Sequence, residues 1–185
     1  MNPDRDVISI HLPEWFSDFL AAQGNTFPSH EDRMRLAIKL AQKNVEQNTG
    51  GPFGAVICST QTGKLVAAGI NIVTTAHCSM AHAEMVALAL AQQSRGSHIL
   101  TECELASSTE PCAMCLGAIP WSGVQSLLCG ARGADAEAIG FDEGTKPRQW
   151  RAALERRGVQ VTRNILRDEA RAVLQSYKRR GGPVY

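Results

Sequence analysis

Two short segments limit what this chain can fold into: Ala81-His82-Ala83-Glu84 and, further along, Glu110-Pro111-Cys112-Ala113-Met114-Cys115. Cysteines three residues apart lie side by side on a helix, because three residues turn through about 300°. Pro111 suits a helix start, and the unpaired amides of a first turn favour thiolates at Cys112 and Cys115. An imidazole from His82 then completes a three-ligand zinc set. Three protein ligands leave the fourth tetrahedral position to water, as in catalytic rather than closed structural sites. Glu84, two residues from His82, is placed to take a proton from that water and later give it to a leaving group. The fold must therefore bring two helix starts together. His82 and Glu84 diverge on a continuous helix, so both can serve one site only near its first turn.

Spacing leaves other uses open. Cys112 and Cys115 can form a redox dithiol, which makes Pro111 and the His-x-Glu segment coincidences. A closed structural zinc site can recruit His77, Cys78, Cys103 or Cys129 as a fourth ligand, and then Glu84 has no role. A CxxC pair alone is weak. The combination of His82-Ala83-Glu84 with Pro111-Cys112-x-x-Cys115 is specific, and resembles the signature of the cytidine deaminase superfamily, the zinc-dependent nucleobase deaminases. The resemblance runs from about Ser29 to Lys178.

The rest of the chain supplies a frame. Val7 to Leu12 alternates in strand fashion and Pro13 ends it; Glu14 to Leu20 can form a short helix. Ser29 is a plausible N-cap for a helix to Gln47, with Met34, Ala37, Ile38, Ala41 and Val45 on one face. Phe53 to Cys58 and Lys64 to Ile70 read as a hairpin around Thr62-Gly63. The His82 helix has Met85, Leu88 and Ala89 as core positions and stops at Gly96. Strands follow at Thr101 to Ser107 and Val124 to Gly130, either side of a short Cys112 to Trp121 helix that holds Pro120 near its end. Beyond a linker from Ala131 to Gly144 come a helix (Pro147 to Arg157), a strand (Val159 to Ile165) and a helix (Arg167 to Lys178). Alternating strands and helices imply a three-layer α/β/α sandwich, and the first hairpin makes its central sheet, about five strands, mixed. The expected organisation is an N-terminal extension (1–28), a deaminase domain (29–178) and a C-terminal flap (179–185).

Within the superfamily the sequence is most similar to the bacterial guanine deaminases, through Gly50-Gly51-Pro52-Phe53-Gly54-Ala55-Val56-Ile57, Asn71-Ile72-Val73-Thr74-Thr75, Cys115-Leu116-Gly117-Ala118-Ile119-Pro120-Trp121 and Ala138-Ile139-Gly140-Phe141-Asp142-Glu143. That resemblance implies hydrolysis of guanine to xanthine and ammonia, with one zinc per chain on His82, Cys112 and Cys115 and with Glu84 as the proton carrier. It further implies that Asn71 bonds the purine, that Phe53 and Trp121 wall its ring, and that Glu143 meets the amino side and helps the proton transfers. Tyr185 becomes the lid of a mobile tail, and the protein a homodimer able to exchange C-terminal segments. Residue by residue the bland uses stay open: Phe53 and Trp121 as core, Asn71 as a turn residue, Asp142-Glu143-Gly144 as a solvated loop.

Charge separates two further functions. Residues 1–144 carry 8 Lys and Arg against 15 Asp and Glu, whereas residues 145–185 carry 11 against 3. A basic tail can hold RNA, as a tRNA adenosine deaminase would need, or pair with an acidic body; the second use is favoured, and nucleic acid is not expected. A zinc-stabilised binding module without catalysis is the remaining alternative. No apolar run approaches a membrane span and no secretory signal opens the chain, so the expectation is a cytoplasmic protein with reduced cysteines.

Overall fold

The structure is a computed structural model and describes residues 9–185. Helix α1 (Trp15–Gln23) leads to α2 (His30–Glu46), whose start is fixed by a capping box: the Ser29 hydroxyl accepts from the Asp32 amide at 3.0 Å and the Asp32 carboxylate accepts from the Ser29 amide at 3.1 Å. All five expected core positions of α2 are buried. Strands β1 (Gly54–Ser59) and β2 (Leu65–Ile70) form the expected antiparallel hairpin. Helix α3 (Ala83–Arg95) ends at Gly96, whose φ of 59° supplies the left-handed cap. Then follow β3 (Cys103–Thr109), α4 (Ala113–Ser122), β4 (Ser126–Ala131), α5 (Gly133–Glu137), α6 (Trp150–Glu155), β5 (Gln160–Thr162) and α7 (Arg167–Arg179).

The five strands make one mixed sheet in the order β2-β1-β3-β4-β5, antiparallel through β1 and parallel from β3 to β5. One apolar cluster joins α2 and α7 to one sheet face; a second joins α3, α4 and α6 to the other. The three-layer sandwich is thus as expected. Helix α3 lies unusually close to the hairpin, because Gly69 has no side chain: a Cβ there would strike the carbonyl of Ala83 and lie 2.5 Å from the Ala87 amide nitrogen.

Three expectations need correction. The strand from Val7 to Leu12 lies partly outside the described residues, and 9–12 form no strand. The supposed linker contains α5, held by Asp135, which accepts from the Arg132 amide at 2.8 Å and from Arg167 at 2.9 and 3.0 Å. On α3, Leu88 is buried as expected but Met85 is only half-buried and Ala89 is exposed; the inward face is completed by Ala83, Val86, Ala87 and Ala91. Residues before Ser29 also reach the body: Phe16 is buried in the α2 cluster, and the Trp15 indole donates to the Thr49 hydroxyl at 3.2 Å.

Candidate active site

His82 and Cys112 occupy equivalent places, each the extended residue that caps a helix, α3 and α4 respectively. At His82 the backbone is extended (ψ 155°) before the helix begins at Ala83. This break lets His82 and Glu84 point to one place although they are two residues apart. Cys112 Sγ lies 3.5 Å and Cys115 Sγ 3.7 Å from His82 Nδ1. Zinc bonds of about 2.0–2.1 Å to nitrogen and 2.3 Å to sulfur, at tetrahedral angles, require edges of about 3.6 Å. The three ligand atoms therefore fit one zinc ion, and among the described residues they are the one His/Cys/Asp/Glu group so disposed. Cys112 is held down to about 4 by a hydrogen bond from Cys115, against the opposing effect of burial, while the same bond pushes the Cys115 thiol up. His77, Cys78, Cys103 and Cys129 are not part of this group.

Glu84 is buried, with Oε2 3.6 Å from Cys115 Sγ and Oε1 accepting from the Ser107 hydroxyl of β3 at 3.1 Å. Burial, then the neighbouring Cys112, raises its carboxyl above the ordinary range. A carboxylate so placed takes up a proton more readily than one in water.

Phe53, Asn71, His82, Glu84, Cys112, Glu143 and Tyr185 line one cavity. The Phe53 ring stands edge-on to Phe141, centroids 4.9 Å apart, and Phe141 in turn edge-on to Tyr185 at 5.4 Å. Asn71 is buried just past β2; its side-chain oxygen accepts from the Val73 amide at 3.3 Å and from the Tyr185 hydroxyl. It is therefore both a turn residue and a cavity residue. Tyr185 arrives because the tail folds back over its own chain: the Tyr177 hydroxyl donates to the Pro183 carbonyl at 2.7 Å, and Val184 lies against Gly140. Glu143 is buried, its carboxyl pushed up to about 7 by burial despite an ion pair with Lys146 at 2.6 Å that pulls the other way.

Trp121 does not join them. It is 72% exposed, with the Arg157 guanidinium 4.9 Å above its ring. Further along the helix at about 1.5 Å per residue, it stands roughly 13 Å from Cys112 and about 9 Å from Cys115. Conversely, four neighbours of the site were given no role from the sequence, although Glu110 and Phe141 lie in the segments singled out there. Phe141 precedes the Asp142-Glu143 pair and carried a usable signal as an aromatic beside paired acids. Ser107, Glu110 and Lys146 carried none, being ordinary residues of a strand, a turn and a loop.

Residues 28–131 match the family described as the cytidine and deoxycytidylate deaminase zinc-binding region. The guanine deaminase of Bacillus subtilis is 42% identical over 115 residues, 62% of this chain and 72% of that protein. A tRNA-specific adenosine deaminase of Buchnera aphidicola is 29% identical, covering 78% of this chain and 90% of its own. A solved guanine deaminase from Nitrosomonas europaea superposes with a TM-score of 0.87 at 44% identity, covering 94% of this chain and 97% of that one. Signature, fold and geometry agree, and the chain belongs to the zinc-dependent cytidine and deoxycytidylate deaminase family.

Proposed function

We propose that the protein hydrolyses guanine to xanthine and ammonia. The observation that carries this reading is a buried carboxylate, Glu84, beside a His82-Cys112-Cys115 group at the foot of a cavity walled by aromatic rings. Zinc on that group would supply Lewis acidity and make water a nucleophile near neutral pH. Phe53 and Phe141 bind the flat ring, Asn71 orients it, and Tyr185 excludes bulk water. Water oxygen bonds to C2 first, and the C2–amine bond breaks only after the amine has been protonated. Its protons end on a ring nitrogen and on the amine, which leaves as ammonia. Glu84 carries the proton to the leaving nitrogen, and Glu143 receives the amino side of the base.

The tail lying across the cavity supports a free base as substrate over a base within a polynucleotide. Free thiols throughout the described residues suit the reducing cytoplasm, and no described helix is long and apolar enough to cross a membrane. We also assign a homodimer built on the exposed face of α4. In that dimer each tail would cover its own cavity or its partner's, the same Tyr185 closing the site in either case.

The test is ammonia release from guanine, adenine, cytosine and cytidine by zinc-loaded protein, with Glu84→Gln as control. Guanine turnover that falls by about 10²–10⁴ in the variant, at unchanged zinc content, is the expected result. Activity on another ring alone would discard the substrate, and near-normal turnover by Glu84→Gln would discard the role of that residue.

A further inference from the structure

Glu143 sits in a stretch without regular structure between α5 and α6, yet its carboxylate must stand still beside the cysteine helix. Three contacts restrain it. The Glu143 carbonyl accepts from the Ala113 amide at 2.9 Å, which ties the backbone to the first turn of α4. Gly144, at φ 67°, then turns the chain back, in a left-handed conformation that favours glycine. The turn brings Lys146 beneath Glu143, where its ammonium donates to Glu143 Oε2 at 2.6 Å and to the Pro111 carbonyl, one residue before Cys112, at 3.3 Å.

The floor under this ammonium is Gly133. A Cβ at that position would lie 2.5 Å from Lys146 Nζ and 3.3 Å from Glu143 Oε2, so any side chain there would make the ammonium shift from its present seat. Gly133 is itself fixed, because its amide donates to Glu110 Oε2 at 3.0 Å and the other Glu110 oxygen is ion-paired with Arg163. Lys146 is largely buried, so its bond to Glu143 is a charge-assisted contact shielded from water rather than a surface pair. Among the described residues, Oε1 of Glu143 makes no hydrogen bond to protein and Glu143 lines the cavity.

We propose that Lys146 is the positioning residue for Glu143: seated on Gly133 and anchored to the Pro111 carbonyl, it fixes one carboxylate oxygen against the cysteine helix and leaves the other for the substrate. The inference rests on the reading of Glu143 as a substrate-facing acid. Lys146 touches no reacting atom and acts through Glu143 alone. A misplacement of about 1 Å can cost about 10²-fold in rate, so Lys146→Met lowers kcat for guanine by about 10- to 100-fold, with KM within about threefold and zinc content unchanged. Lys146→Arg restores most of the loss, since it keeps a donor to the carboxylate. In a Glu143→Gln background Lys146→Met costs nothing further, because neighbours that act as one unit are not additive. Gly133→Ala, which keeps the lysine but displaces its ammonium, lowers kcat in the same direction by a smaller factor and serves if Lys146→Met does not fold.

Wild-type kcat in Lys146→Met, or an equal loss in the Glu143→Gln background, overturns the proposal. If wild-type protein releases no ammonia from guanine, the functional reading fails, and the brace is then judged by the crystal structure of Lys146→Met. A Glu143 carboxylate that leaves its place beside Gly133 upholds the brace; one that stays overturns it.

Discussion

A carboxamide can offer a ligand hydrogens or lone pairs, and Asn71 has its oxygen already engaged. The Val73 amide can only donate, so the atom it meets is Oδ1, and the Tyr185 hydroxyl reaches the same oxygen. The NH₂ group is left for the cavity, and under the proposed function it would donate to an acceptor on the purine. Asn71→Asp keeps both oxygen contacts but replaces that donor with a charge. Leaving a buried acceptor of the ligand without its donor costs about 1–3 kcal/mol, and binding of guanine should weaken by about 5- to 150-fold. Binding within threefold of wild type would mean that the ring acceptor is not read through Asn71. At this scale the sequence exposed the groups whose chemistry is unusual: a histidine, a glutamate and two cysteines in a spacing few other functions need. It hid Ser107 and Lys146, whose importance lies in what stands opposite them, 23 and 3 residues away.

At the scale of elements, the site depends on how closely α3 approaches the hairpin, since α3 carries Glu84. Gly69 sets that distance, and Gly69→Ala would push Ala83 and Ala87 off β2. Overpacking of this kind costs about 1–3 kcal/mol, and because the contact is with backbone, no side chain can swing aside. The expected outcome is a lower melting temperature together with a fall in kcat larger than the change in zinc content. Unchanged stability and turnover would show that β2 does not seat the helix. Most elements were legible because their signals are local: the Ser29 capping box, the hairpin turn, the glycine at the end of α3. Helix α5 was not, since its five residues are held chiefly by Arg167, 32 positions beyond Asp135. The last strand shortened to Gln160–Thr162 for a related reason, as it pairs on one side only, with β4.

For the whole molecule, the unexplained surface is the outer face of α4. Met114, Gly117 and Trp121 follow one another at helical spacing, Trp121 is 72% exposed, and nothing lies within 4 Å of where a Gly117 side chain would be. Ile99 extends the face beside Gly123. An apolar strip with a glycine at its centre suits close approach of an identical helix across a two-fold axis, where the same patch of each subunit faces its counterpart. A glutamate at position 121 of each subunit would then put two unpaired charges into the desolvated interface. Trp121→Glu should therefore lower the mass measured by light scattering from that of a dimer to the 20.0 kDa chain. Turnover distinguishes two uses of the tryptophan. Phe53, Asn71, Glu84, Glu143 and Tyr185 all reach the cavity from one chain, so the separated subunit should keep kcat/KM for guanine within about threefold; a ring that walled the partner's cavity would take turnover down with the mass. A mass that stays at 20.0 kDa in the wild type would remove the dimer and leave the face of α4 without this use.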